Sequence, residues 1–303
     1  MRIVAALGGN ALLERGERPD AEVQERHVSQ AVAALAPLAR EHQLVITHGN
    51  GPQVGMLALE SAQDPALSRP YPFDVLGAQT QGMIGYWLAR SLRSEVPDKH
   101  VGCLICQTLV SAADPAFAHP TKFVGPGYDE HSARSLAAEH GWTVRQDGEK
   151  WRRVVPSPEP VEILELPLIG ALLEADAVVI CAGGGGIPVI RQGGSQLCGV
   201  DAVVDKDLTS ALLAQAIAAD ALLLLTDVPG VLDGFGTSAA RPIERATVAE
   251  LGGDRLPAGS MGPKVDAACR FVAATGKKAV IGRLDDAEAM FFGKAGTTVL
   301  ANE

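Results

Sequence analysis

Short apolar runs alternate with longer stretches of helical period along nearly the whole chain. The runs Arg2–Leu7, Leu44–Thr47, Val101–Val110, Ala177–Cys181, Ala221–Leu225, Lys278–Gly282 and Thr297–Leu300 predict strands. They are continuous rather than alternating, the pattern of strands buried on both faces of a parallel sheet. Between them, Glu22–Arg40 carries Val28, Val32, Leu35, Leu38 and Ala39 at helical spacing, and Pro37 is expected to kink or shorten that helix. Further helices are predicted from Pro52, over Gln79–Leu92, Leu168–Glu174 and Val248–Leu251, and from Pro263 through Val272. Strand and helix alternate without internal repeats. The fold class expected is therefore α/β, a three-layer αβα sandwich with a largely parallel central sheet.

Glycine turns follow three of the strands: Gly8-Gly9-Asn10, Gly49-Asn50-Gly51 and Gly183–Gly186. One such turn is ordinary punctuation, whereas several at strand carboxyl ends outline a place where backbone can approach an anion. After the first, Ala11–Glu14 is expected to open a helix whose N–H groups face the glycines. The chain changes character between residues 114 and 160, where prolines, glycines and charges crowd together. This stretch predicts a lid subdomain inserted in a single domain of residues 1–303. It would contain a helix at Glu130–His140 and strands at Trp142–Gln146 and Arg152–Val155, weakly docked because it has few apolar residues.

Composition narrows the function. Hydrophobic residues make up 47% of the 303 and charged residues 20%, a globular balance. A net charge of −10 argues against nucleic acid or an anionic membrane as partner. No apolar run reaches the roughly 18 residues of a membrane span, so a cytoplasmic location is expected. Of five cysteines, only Cys103 and Cys106 form a C-x-x-C. Within one strand these two would point to opposite faces and no second pair completes a zinc site, so no structural metal is expected.

The chemistry is expected in Val200–Val231, where Asp205-Lys206-Asp207 opens an apolar helix leading into a buried strand. Two readings stand side by side: Asp207 caps the helix and Lys206 is solvated, or the knot forms an anion site at a helix N-terminus. Lys264 sits at the start of another helix. No P-loop, nucleophile elbow or dinucleotide fingerprint is present, so a nucleotide enzyme on this chain needs another kind of phosphate site.

With these residues in view, the chain resembles the amino acid kinase family from end to end, and within it the carbamate-phosphorylating branch. The resemblance rests on ALGGNA at Ala6–Ala11, HGNGPQVG at His48–Gly55, TQGMIGYWL at Thr80–Leu88, PTK at Pro120–Lys122 and WRRVVPSP at Trp151–Pro158. GGGGIPV at Gly183–Val189, DKD at Asp205–Asp207 and Pro257–Lys264 add to it. It implies reversible transfer between ATP and carbamate, giving ADP and carbamoyl phosphate, with flux toward ATP in arginine breakdown. It further implies Lys122, Lys206, Asp207 and Lys264 as the catalytic set, with Lys122 brought in by the lid. Gly8, Gly9, Asn10, Gly49, Asn50 and Gly51 would cradle carbamate and phosphate with main-chain and amide donors. Thr226, Asp227, Val228, Met261 and Gly262, with the rest of the Pro257–Gly262 loop, would bound the nucleotide. Magnesium would arrive on the phosphates, and a homodimer is implied. Two alternatives are a family member with a larger acceptor, such as acetylglutamate or aspartate, and a catalytically silent nucleotide sensor, which would not need Lys122.

Overall fold

The computed structural model describes residues 1–14, 16–234, 237, 240–252 and 261–302. Among them the central sheet has eight strands, in the order Arg245–Thr247, Thr297–Leu300, Lys278–Arg283, Ala221–Thr226, Arg2–Leu7, Gln43–His48, Val178–Ile180 and Val101–Cys103. Neighbours are parallel except where Thr297–Leu300 runs antiparallel to Lys278–Arg283. Both faces are covered. Ile3, Ala5, Leu7, Leu223 and Leu225 pack toward helices Ala21–Glu41, Phe73–Glu95 and Ala287–Phe291. Val4, Ala6, Leu222 and Leu224 pack toward helices Leu166–Glu174, Lys206–Ala216 and Met261–Thr275. The two-residue period of the strands thus feeds two cores, which explains why their sequences read as continuous apolar runs. The three-layer α/β expectation holds. No described helix is long and apolar enough to cross a membrane.

Several local expectations change. Helix Ala21–Glu41 runs through Pro37 to its predicted end and beyond. A helix-interior proline costs about 3 kcal/mol, but burying Leu35 and Leu38 against the sheet returns about 1.5–3 kcal/mol each. After the first strand there is no α-helix, only a 3₁₀ turn at Gly9–Ala11. The Glu17 carboxylate accepts the Glu14 N–H at 3.1 Å, so the chain turns away instead of winding on. The run Val101–Val110 splits into Val101–Cys103 in the central sheet and Gln107–Val110 in a second, four-stranded sheet. Gln81 causes the break: its amide accepts the Cys106 N–H at 2.8 Å and donates to the Cys106 carbonyl at 3.1 Å, replacing a strand partner. Cys103 is consequently exposed and Cys106 buried.

The inserted segment forms a three-stranded antiparallel sheet, Lys122–Tyr128, Lys150–Val155 and Thr143–Asp147, with helix Glu130–His140. Its docking is firmer than composition implied. Val124 and Val155 join Val54, Ala58, Phe73, Leu76 and Val203 in a small core. The Arg153 guanidinium lies 4.7 Å from the Phe73 ring centroid and 4.6 Å from that of Trp142. Gly55 and Gly125 meet backbone to backbone, so closely that a Cβ on Gly55 would fall 2.3 Å from the Gly125 Cα. Cation–π stacking and a contact between glycines add little to an apolar count, and for that reason the segment reads as loose in sequence.

Candidate active site

The carboxyl ends of the parallel strands lie along one edge, tied together by their first turn residues. The Gly8 N–H donates to the Leu225 carbonyl at 3.1 Å, and the Gly49 N–H to Leu7 at 3.0 Å. A Cβ on Gly8 would come within 2.9 Å of the Leu225 oxygen, and one on Gly49 within 3.0 Å of the Gly9 nitrogen, so both positions need glycine for close approach. The structure thus brings the glycine turns after Leu7 and His48 against each other and against Leu225 and Thr226, the end of the central strand from which Asp227 and Val228 lead on.

Helix Lys206–Ala216 begins beside these turns and is capped by Asp205. The Asp205 Oδ1 accepts from the N–H groups of Asp207 at 2.8 Å and Leu208 at 3.3 Å. The cap is therefore Asp205 and not Asp207, Lys206 is buried rather than solvated, and two of the helix's leading N–H groups are taken by the cap. Asp207 is instead the centre of an ionic cluster, accepting from Lys206 Nζ at 2.6 Å and from Lys264 Nζ at 2.9 Å, one lysine on each oxygen. All three side chains are buried. Lys264 comes from the first turn of helix Met261–Thr275, preceded there by Met261 and Gly262. Pro257–Ser260 lie outside the described residues.

Burial acts on each charge differently. It pulls the Lys206 ammonium down to about 8, with Lys264 pushing the same way and Asp207 opposing. It would raise the Asp207 carboxyl, but the two lysines outweigh it and hold that group well below the ordinary carboxylate range. Lys264 ends above its ordinary value, because Asp207, Asp205 and Asp227 overcome its desolvation. Nearby, burial pulls His48 down to about 4, so its imidazole is neutral at physiological pH. Ser210 fixes the helix start by donating to the Lys206 carbonyl at 2.6 Å, and it shares a 2.7 Å hydrogen bond with Thr47 on the adjoining strand.

Lys122 reaches this cluster from the inserted sheet, where its ammonium donates to the second oxygen of Asp205. A cavity of about 190 Å³ opens here, its wall including Gly9, Gly49, Asn50, Gly51, Lys122 and Lys206. The Gly183–Gly186 turn closes its rear. There Gly184, Gly185 and Gly186 have φ of +64°, +89° and +85°, and Cβ atoms would strike the Asn50 amide, the Val204 carbonyl and the Thr108 hydroxyl. One N–H of the Asn50 amide is given to Thr80 Oγ1 at 2.8 Å, which leaves Nδ2 a single further N–H. The Asn10 side chain lies outside what the structure describes. Asp205, Thr80 and His48 stand inside motifs noted in the sequence but received no role there. Only Asp205 carried a signal, an acid directly before a helix that contains a second acid.

Lys122 and Lys206 on one cavity wall, Lys264 joined to them through Asp207, and several backbone turns at the carboxyl edge of a parallel sheet define a site for moving a phosphoryl group. The amino acid kinase family pattern matches residues 1–283, and the chain belongs to that family. Within it, the chain is 52% identical to the carbamate kinase of Rhizobium meliloti, over 99% of this chain and 93% of that one. Carbamate kinase from Giardia lamblia bound to citric acid superimposes with a TM-score of 0.92 at 38% identity, covering 99% and 98% of the two chains. The same Giardia enzyme bound to AMP-PNP gives 0.90 at 38%, with the same coverage.

Proposed function

We propose that this protein is an ATP-dependent phosphotransferase that interconverts ATP and carbamate with ADP and carbamoyl phosphate. The observation that carries the reading is the Lys206–Asp207–Lys264 cluster beside a cavity that Lys122 and two glycine turns also face. A carbamate oxygen is already anionic, so no general base is required. It attacks the terminal phosphorus of ATP, an O–P bond forms, and the bond to the bridging oxygen breaks with its electron pair left on ADP. Such a transfer calls for alignment and charge neutralisation. Lys206 and Lys264 hold the nucleotide phosphates and the moving group, Asp207 keeps both ammonium groups charged and aimed, and Lys122 neutralises charge from the opposite side. Main-chain N–H groups of Gly9, Asn10, Asn50 and Gly51 receive the acceptor and its phosphate, while those of Gly8 and Gly49 tie the two turns to the neighbouring strands.

Thr226, Asp227, Val228, Met261 and Gly262 bound the nucleotide in this reading, next to Lys264. Magnesium enters with the nucleotide as part of the substrate. No group of three or more His, Cys, Asp or Glu side chains among the described residues could hold a metal, and the two acids nearest the cavity are engaged by lysines. The inserted segment as a closing lid, flux toward ATP in arginine breakdown, a homodimer and a cytoplasmic location belong to the same reading and rest on family resemblance. The deciding experiment is ATP formation from ADP and carbamoyl phosphate by the purified protein. Absence of product with intact ADP binding would leave a nucleotide sensor, and product only with a larger acyl phosphate would move the protein to another branch.

A further inference from the structure

The Asn50 side chain occupies an unusual position for an amide on a cavity wall. It is 5% exposed, and its Nδ2 donates to Thr80 Oγ1 at 2.8 Å. The Thr80 hydroxyl has one proton, which it donates to the Gly77 carbonyl at 2.9 Å, one turn back in helix Phe73–Glu95. Thr80 can therefore face Asn50 only as an acceptor, and this fixes which end of the amide is nitrogen. The amide face is pinned as well: Gly184, in the left-handed region at φ +64°, lies so close that a Cβ would sit 2.2 Å from Nδ2 and 2.7 Å from Oδ1. The result is a carbonyl oxygen held away from Thr80, at a cavity whose other polar side chains are Lys122, Lys206 and two carboxylates, Asp205 and Asp207, that lysines already engage. No described residue donates to it.

An acceptor left unengaged, beside carboxylates that already have their partners, is badly placed for an anion's oxygens and well placed for an N–H. We propose that Thr80 sets acceptor specificity by locking the Asn50 amide so that Oδ1 accepts a hydrogen bond from the amino group of carbamate or carbamoyl phosphate. The site thereby rejects substrates that carry a methyl or an oxygen in that place. This rests on the phosphoryl-transfer reading above. Thr80 is a positioning residue, fully buried and without contact to substrate. A site built around a substrate N–H discriminates against the analogue lacking it because its own polar atom is then left unpaired.

Carbamoyl phosphate and acetyl phosphate differ at that group, NH₂ against CH₃, and either can serve as phosphoryl donor to ADP. The experiment measures kcat/KM for both in wild type, Thr80→Val and Thr80→Ser, with melting by circular dichroism as the check on folding. Thr80→Val keeps the shape but offers Asn50 no acceptor. It should lower kcat/KM for carbamoyl phosphate on the order of tenfold, the worth of one oriented hydrogen bond, with acetyl phosphate changed less than twofold. Thr80→Ser should restore the wild-type ratio. Should Thr80→Val unfold, Thr80→Ala is measured in its place. Parallel losses on both substrates, or an unchanged ratio, would overturn the proposal by reducing Thr80 to a packing residue. Failure of the wild type to make any ATP from carbamoyl phosphate would instead overturn the function itself.

Discussion

Replacing Asp207 with Asn changes one charge and almost no volume, and its consequence can be worked through the two lysines. The carboxylate lies 2.6 Å from Lys206 Nζ and 2.9 Å from Lys264 Nζ. At an effective dielectric of about 20, a unit charge pair about 3 Å apart is worth about 5 kcal/mol before desolvation, which takes back part of it. If only about 3 kcal/mol of support for Lys206 is lost, its pKa falls by about two units, one unit being about 1.4 kcal/mol. From about 8 it drops to about 6, so at pH 7.5 the protonated fraction goes from about 75% to about 3%. Turnover at that pH should therefore fall about 25-fold through Lys206 alone, before any loss of aim. The helix start survives because its cap is Asp205. The distinguishing readout is the pH profile of ATP formation: the deficit should shrink as pH falls from 7.5 toward 5.5, where the variant's Lys206 regains its proton. A deficit of constant size across that range, in a folded variant, would refute the charge argument, and wild-type turnover would remove Asp207 from the site.

In wild type, kcat/KM should decline as pH rises through about 8, where Lys206 in the free enzyme loses the charge that attracts phosphate; a flat profile to pH 9.5 contradicts this. Lys264→Ala should cost on the order of 10²–10³ in turnover, the effect of removing one oriented charge donor, with the far-UV spectrum unchanged. Lys122→Ala should lower turnover steeply but leave calorimetric ADP affinity nearly unchanged, and Lys122→Arg should recover little because a planar fork does not replace a compact ammonium; a parallel loss of ADP affinity counts against it. Gly55→Ala should lift the inserted sheet from its seat and cost up to about 10²-fold in turnover, as misplacements of about 1 Å can, while ADP affinity holds; unaltered kinetics would show that the seat is irrelevant.

The strands, the glycine turns and the place of Lys206 and Lys264 at helix starts were legible in sequence, because each depends on local pattern: apolar runs, glycine after a strand, a cation at a helix start; the roles of the two lysines came only from the family resemblance. What was not legible depends on a partner distant in the chain. Gln81 breaks the predicted strand Val101–Val110 by binding Cys106, and nothing in either segment announces the pairing. Thr80 and Arg153 look like ordinary polar positions until Asn50 and Phe73 come into contact with them. The reading of Asp207 as a cap fails because two acids flank Lys206 and only the fold decides that Asp205 faces the helix end.

Asp205 divides its two oxygens between the helix start and Lys122. The protein thus carries its own counter-ion for the most exposed of the three lysines. An incoming phosphoryl oxygen that takes Lys122 displaces one oxygen of Asp205 while the other goes on holding the helix, so loading the site is an anion exchange rather than an anion uptake. Occupied and empty states then differ little in the number of bare charges near Lys122, and that lysine's part in binding should depend only weakly on ionic strength.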